Sequence, residues 1–507
     1  MMHLVRIQKS FAWLALMLVA LFTGPVGGFA FSLLGPPADW MDVQKGYQNP
    51  GDIGGPMNIG EGYRWNLPVV TYGFDRSFLD YFGFNGVAAV EAAIEILNAL
   101  PPASSIDLSN YPLAVLRINY RAQSANLCDL KSATLFLLLE QMGLADPLRY
   151  AFCVRDFHLN PYGTNYTFDV IERNFDPVTA QPSSLVNGTL YSYLIFMFAL
   201  SPSSPTNYFC ETHVYPIDPL SSSSTPVTSI FVYPGDYLNG LSRDDVGGLR
   251  YLLSGSEVRC ESLLPDVHAL DTNSSGFVRT ADRPGIEKVA FVRHPFGSPN
   301  GEFRPFTNRW TDVYYDWDEP VYQEVERITT CPDILFSGRD FGAGLIATRT
   351  GTTNWVNNAA LNDNSGGAGP GVIQPPITLT YGTGGPFYVN TYDPSKLLSG
   401  LSQTTAGPGL SWGSFDGSTN APLMYPNVQI AFQPTQVSFR LLLNGATNDF
   451  RWPLAGGAYS RFFFQSATNL WDWATLTILT NSGAVFNYEF QAATNEASRF
   501  FRTIQEP

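Results

Sequence analysis

The sequence predicts an α+β N-terminal domain, followed by a β-rich region and a small C-terminal β-sandwich. Segments with apolar residues at helical spacing all lie before residue 263. After that point, short runs of β-branched and aromatic residues alternate with turn residues. The composition also favours β-structure outside the cytosol, because 14% of the residues are aromatic, only 14% are charged, and there are 45 glycines and 37 prolines.

The N-terminus has the three zones of a secretory signal peptide. Arg6 and Lys9 precede an apolar run over residues 11–22, and the small residues Gly28 and Ala30 follow. This run is too short to span a bilayer, which takes about 20 residues. We therefore expect residues 1–30 to be a signal peptide cleaved after Ala30, and the protein to be a secreted or periplasmic bacterial protein.

The expected elements of the first half follow from local patterns. Residues 31–64 are rich in Gly, Pro, Asp and Asn, which predicts an irregular arm. The α+β domain, with an insertion, is predicted over residues 65–262. Its expected elements are a strand over 69–74, a helix over 86–100, a strand over 113–120, a buried helix that Asp129 opens, and a helix over 242–253 that Ser242 caps.

The second half is predicted to consist of strands. We expect a β-rich middle region over residues 263–427 and a C-terminal β-sandwich over 428–507, whose strand segments are separated by turn signals such as Asn444-Gly445. The apolar run over 191–200 is about half the length of a membrane span, so it predicts a buried strand or core helix and no membrane anchor.

The order of elements in the first domain resembles that of metzincin zinc peptidases of the matrixin type. That family carries HExxHxxGxxH on its buried helix, where histidines bind zinc and the Glu activates water. With the family's Gly placed on Gly143, its ligand positions fall on Phe136, Glu140 and Asp146, and its catalytic Glu falls on Leu137. The resemblance therefore implies a metzincin-like scaffold without the HExxH zinc motif, that is, a pseudoenzyme.

A second resemblance concerns about the last fifty residues. The segment around Trp471 and Trp473, closed by an aromatic run at Phe500, is similar to a C-terminal β-module of uncharacterised secreted bacterial proteins. Either tryptophan would fill the core of that module, or the two would be exposed and stack on sugar rings.

The densest acidic cluster comprises Asp312, Asp316, Asp318 and Glu319. Carboxylate oxygens suit Ca²⁺, so calcium is the one cofactor that we consider. The alternative is that these are solvated carboxylates on a strand edge, interleaved with buried Val313, Tyr315 and Trp317.

Five cysteines lie in the expected mature chain. An oxidising compartment permits disulfides. Proximity in sequence favours the pairs Cys128–Cys153 and Cys210–Cys260, which would leave Cys331 as a thiol.

Charge and motifs limit the possible functions. The net charge of −15 argues against nucleic acid as a partner. Each catalytic motif that the sequence matches in part lacks at least one residue that the chemistry requires. The leading hypothesis is a non-catalytic secreted protein that binds an extracellular protein or polysaccharide, or forms part of an extracellular assembly. The alternative is a secreted hydrolase that uses acidic residues of the metzincin-like domain.

Overall fold

The structure is a computed structural model. It describes residues 30–48, 52–159, 166–199, 208–221, 226–229, 233–270, 276–296, 303–339, 354–357, 369–382, 411–426, 436–443, 446–454, 461–469, 472–480, 485–491 and 499–505. Strands take up 46% of the described residues and helices 18%.

The helices are α1 (Arg76–Asn98), α2 (Tyr120–Ser124), α3 (Leu130–Gln141) and α4 (Arg243–Leu253), with short 3₁₀ helices at Val43–Lys45, Ala103–Ser105, Leu108–Asn110 and Val227–Ser229. In chain order the strands are β1 (Phe31–Gly35), β2 (Gly55–Met57), β3 (Tyr63–Arg64), β4 (Val69–Phe74), β5 (Leu116–Ile118), β6 (Leu127–Asp129), β7 (Leu144–Ala145), β8 (Cys153–Leu159), β9 (Tyr166–Ile171), β10 (Asn174–Phe175), β11 (Leu185–Val186), β12 (Thr189–Ala199), β13 (Tyr208–Pro216), β14 (Asp236–Leu238), β15 (Arg259–Ser262), β16 (Val267–Ala269), β17 (Thr280–Arg283), β18 (Ala290–Arg293), β19 (Phe306–Asp316), β20 (Glu319–Thr329), β21 (Ile334–Arg339), β22 (Asn354–Asn357), β23 (Gly371–Gln374), β24 (Ile377–Gly382), β25 (Ser411–Ser414), β26 (Leu423–Met424), β27 (Gln436–Leu443), β28 (Ala446–Pro453), β29 (Arg461–Ala467), β30 (Ala474–Thr480), β31 (Val485–Gln491) and β32 (Phe500–Gln505).

A four-stranded parallel sheet, in the order β18-β4-β21-β24, lies at the centre of the main core. One face of this sheet is apolar, and its residues Val70, Phe336 and Leu379 are all buried. Helix α1 packs against β21, where the Phe78 ring lies 6.4 Å from that of Phe336.

This sheet shows that the predicted fold class is wrong. An α+β metzincin-like domain over residues 65–262 would need a sheet of its own, but β4 is the only strand of the parallel sheet that lies in that range. The other three come from residues 290–382, and one hydrophobic core runs from Phe31 to Tyr425. The described chain is therefore a β-rich structure of many small sheets, in which distant segments share one core.

The N-terminal segment also differs from expectation. Residues 31–64, predicted to be irregular, contribute β1, whose five residues are all buried. This strand pairs with β10, β2 and β7. Leu33 and Leu34 belong to the main core, so burial of their side chains outweighs the turn-forming residues around them.

Helix boundaries follow the local capping signals. Asp129 caps α3 by accepting a hydrogen bond from the Ser132 N–H, and Ser242 with Asp245 forms a capping box on α4. Gly143 ends the turn after α3 at φ +93°, and a Cβ there would lie 2.2 Å from the Tyr63 carbonyl oxygen. Only glycine fits this close approach without rearrangement.

The C-terminal part has its own small core. Two three-stranded sheets, β28-β27-β31 and β30-β29-β32, contribute the buried residues. These are Val437, Phe439, Leu454, Phe462, Phe464 and Leu479.

The apolar run over 191–200 lies largely in β12, which pairs with β13 as a hairpin. The run was expected to be buried, but its residues Leu194, Phe196 and Phe198 are all exposed. Among the described residues, no helix has the length and apolar character needed to cross a bilayer.

Candidate functional site

A long hairpin stands out on the five-stranded sheet β15-β17-β19-β20-β16. Its strands β19 and β20 pair antiparallel without interruption from Phe306–Thr329 to Asp316–Glu319. Tyr315 also pairs with Asp282 of β17, and Asp282 pairs with Cys260 of β15. The end of the hairpin is thus tied to two further strands, which hold it in a fixed place.

Trp317 and Asp318 form the turn of this hairpin. Their φ angles are +49° and +68°, the left-handed conformation that a two-residue type I′ turn requires at both positions. The turn projects the Trp317 side chain into solvent, where it is 95% exposed. The expectation that Trp317 is buried is therefore wrong, because the inward face of β19 is formed by even-numbered residues such as Asp312, and Trp317 lies in the turn beyond the strand.

An open cleft of about 750 Å³ lies beside the turn. Its lining includes the aromatic residues Tyr314, Tyr315 and Trp317 and the acidic residues Asp282, Asp316 and Asp318. Cys260 also lines the cleft, and burial raises the pKa of its thiol, so it is not an activated nucleophile. The cleft thus combines aromatic rings with hydrogen-bond acceptors.

The predicted calcium cluster is divided between two environments. Asp312 is buried and accepts three hydrogen bonds from Arg283. Nε donates to Oδ1 at 2.9 Å and to Oδ2 at 3.2 Å, and Nη2 donates to Oδ2 at 2.9 Å. Gln323 Nε2 donates to the same carboxylate at 2.7 Å. Asp312 therefore neutralises a buried arginine and does not form one site with the three carboxylates at the turn. Within the described residues, no three His, Cys, Asp or Glu side chains are placed to hold a metal ion.

A second buried ion pair supports the same sheet. Arg64 of β3 donates from Nε to Glu261 Oε1 of β15 at 2.6 Å, and both side chains are buried. Its Nη1 reaches the carbonyls of Leu252 and Glu257, and its Nη2 reaches that of Arg283. This arginine joins β3, the end of α4, and the two strands β15 and β17 next to the hairpin.

The positions that the metzincin resemblance singled out are structural. Phe136 and Leu137 are buried in the main core. Glu140 is buried on α3. Arg149, which follows this helix, forms an ion pair with Asp52 at 2.6 Å. Asp146 follows the helix, and its carboxylate accepts hydrogen bonds from the backbone N–H groups of Leu148 and Arg149. It therefore stabilises the turn after the helix.

The remaining site residues are the two tryptophans and the cysteines. Trp471 lies outside the described residues. Trp473 is half-buried, and the Arg502 guanidinium carbon lies 3.9 Å from its ring centroid, so the cation covers one face of this ring. No disulfide joins any two of the five cysteines. The expected pairs fail because Cys128, Cys153, Cys210 and Cys260 lie on strands of four different sheets.

Comparison with protein-family models, with curated proteins and with solved structures finds no match to this chain. Its function must therefore be argued from its own residues.

Proposed function

We propose that this protein is a secreted, non-catalytic binding protein that holds a neutral polysaccharide in the cleft beside the β19–β20 turn. The observation that carries the proposal is the 95% exposure of Trp317 at the tip of a rigid hairpin. A tryptophan ring held at this position presents a large apolar face and an N–H donor, a combination well suited to the C–H faces and hydroxyl groups of sugar rings.

The polar groups of the cleft favour the same ligand. The carboxyl groups of Asp282, Asp316 and Asp318 offer hydrogen-bond acceptors, and sugar hydroxyls supply donors. These carboxylates and the net charge of −15 repel anionic ligands such as uronic acid polymers or nucleic acids. An uncharged polymer that presents hydroxyl groups therefore suits the cleft better than an acidic one.

The type I′ turn holds Trp317 in one position before any ligand binds. Trp317 sits on backbone that pairs on both sides, from Asp316 to Glu319 and from Tyr315 to Asp282. Little backbone entropy is lost when such a residue binds a ligand, which improves affinity without additional contact area.

The experiment is affinity electrophoresis and calorimetry of the mature protein with soluble neutral and acidic polysaccharides. Base–aromatic stacking is worth about 1–3 kcal/mol per contact, and we take sugar stacking to be similar, so Trp317→Ala should weaken binding about tenfold or more. Trp317→Phe should retain most of the affinity.

Tyr120→Ala is the matched control, since this exposed aromatic lies on α2 and does not line the cleft. Equal binding by Trp317→Ala and the parent protein would refute the proposal, as would preference for acidic polymers. Release of reducing ends from a bound polysaccharide would refute the non-catalytic part and favour the hydrolase alternative.

A further inference from the structure

The edge of β12 that faces away from β13 is a second candidate interaction surface, independent of the cleft. Strand β11 covers only the start of β12, where Leu185 pairs with Leu190 and Val186 with Thr189. The Tyr191 N–H still donates to the Ser184 carbonyl at 2.9 Å. Beyond Tyr191, no described strand lies on that side of β12.

The direction of the backbone groups on this edge follows from the register. The Leu190 carbonyl accepts the Ile217 N–H on the β13 side, at 2.9 Å. Because hydrogen-bonding direction alternates along a strand, the N–H and C=O groups of Tyr193, Ile195 and Met197 point away from β13. They form a row of donors and acceptors at the open edge.

This edge lacks the features that normally block pairing. Exposed edges are usually protected by charged residues, proline, bulges or short length. Strand β12 is eleven residues long, contains no charged residue and no proline, and pairs with β13 without a bulge. Leu194 and Phe196 are 54% and 40% exposed on one face, and the Phe196 and Phe198 rings stack at 6.1 Å.

We propose that β12 pairs antiparallel with β12 of a second copy of this chain, about a two-fold axis at Ile195. This register pairs residues 193–197 of the two copies, whose outward backbone groups have no described strand beside them, and it leaves the Tyr191 hydrogen bond to Ser184 intact. Ile195 then faces its own equivalent, Tyr193 faces Met197, and Leu194 faces Phe196. Each copy satisfies the backbone groups that the other leaves open, as in an isologous interface.

The absence of charge favours a second copy as the occupant. Two chains that each carry a net charge of −15 repel one another, but pairing through Thr189–Ala199 brings no like charges face to face. The edge also has no charged group that would select a partner of opposite charge. The resulting dimer would carry two Trp317 clefts, so a polymer that spans both would bind with avidity.

The test uses two double variants of the full mature chain that differ in one residue. Leu194→Lys with Phe196→Lys puts lysine opposite lysine in the proposed register. Leu194→Lys with Phe196→Glu puts lysine opposite glutamate. Both variants place two charges on an exposed face, so they act as folding controls for each other in circular dichroism and thermal melts. Sedimentation velocity over a concentration series then gives the dimer dissociation constant.

We expect a dimer for the parent chain and for the Lys/Glu variant, and a dissociation constant at least tenfold higher for the Lys/Lys variant. A monomeric parent chain would overturn the proposal. Equal dimerisation of both variants would also overturn it, because the interface would then lie elsewhere, and dissociation of both would exclude the register at Ile195.

Discussion

Removing the carboxylate of Glu261 should be among the most destabilising single changes in the chain. Arg64 and Glu261 are 1% and 2% exposed and lie 2.6 Å apart. Burial raises the pKa of Glu261 and lowers that of Arg64, so each group depends on the other for its charged state. Loss of one member of a buried ion pair leaves an uncompensated charge and costs about 3–5 kcal/mol.

Glu261→Gln keeps the shape of the side chain and removes its charge, so it isolates this effect. We expect the free energy of unfolding, measured by urea denaturation at pH 7, to fall by about 3 kcal/mol or more. The three backbone carbonyls that accept from Arg64 would hold the guanidinium in place but would not neutralise it.

The matched control is an exposed pair of the same chemistry. Arg76 and Asp80 lie 3.4 Å apart with side chains 92% and 68% exposed. Because exposed pairs contribute about 0–1 kcal/mol, Asp80→Asn should change the stability little. If Glu261→Gln were no more destabilising than Asp80→Asn, the argument that this buried pair holds the sheet together would be refuted.

Two further predictions concern helix α3. Phe136 is 7% exposed in the main core, so Phe136→Ala should lower the free energy of unfolding by about 3–5 kcal/mol in chemical denaturation, and an unchanged midpoint would contradict its core assignment. Burial raises the pKa of Asp129 from 3.8 to about 6. The folded state then binds more protons than the unfolded state between those values, so the contribution of Asp129 to stability is greatest below pH 4 and falls as pH rises to 6, by about 3 kcal/mol at most. Asp129→Asn, which keeps an N-cap side chain, should flatten the plot of unfolding free energy against pH over this window, and a profile identical to that of the parent would exclude Asp129 as its source.

The sequence predicted the features that depend on neighbouring residues. The starts of α3 and α4 follow from Asp129 and Ser242, because an N-cap acts within one turn of its own helix. Helix α1 was placed too late in the chain. It begins at Arg76 after the Asp75 cap and continues through Gly83, which has φ +57° and so interrupts the regular helix.

The features that depend on distant residues were not predictable in this way. The neighbours of β4 are β18 and β21, and nothing within Val69–Phe74 selects them. The acidic cluster did locate the hairpin of the candidate site. The partner of Asp312 was not predictable because Arg283 lies on another strand, and the turn was not predictable because Trp317 and Asp318 lack the Asn-Gly signal that usually marks it.

The parallel sheet described above also has a consequence for the order of folding. Strand β4 is made early, but β18, β21 and β24 follow only after more than two hundred further residues. The two edges of β4 are both paired only when β21 has been made, at residue 339, and β24 completes the sheet at residue 382. The growing chain must therefore be kept from aggregating through most of its synthesis, and fragments that end before β24 should be recovered as insoluble protein rather than as a smaller folded unit.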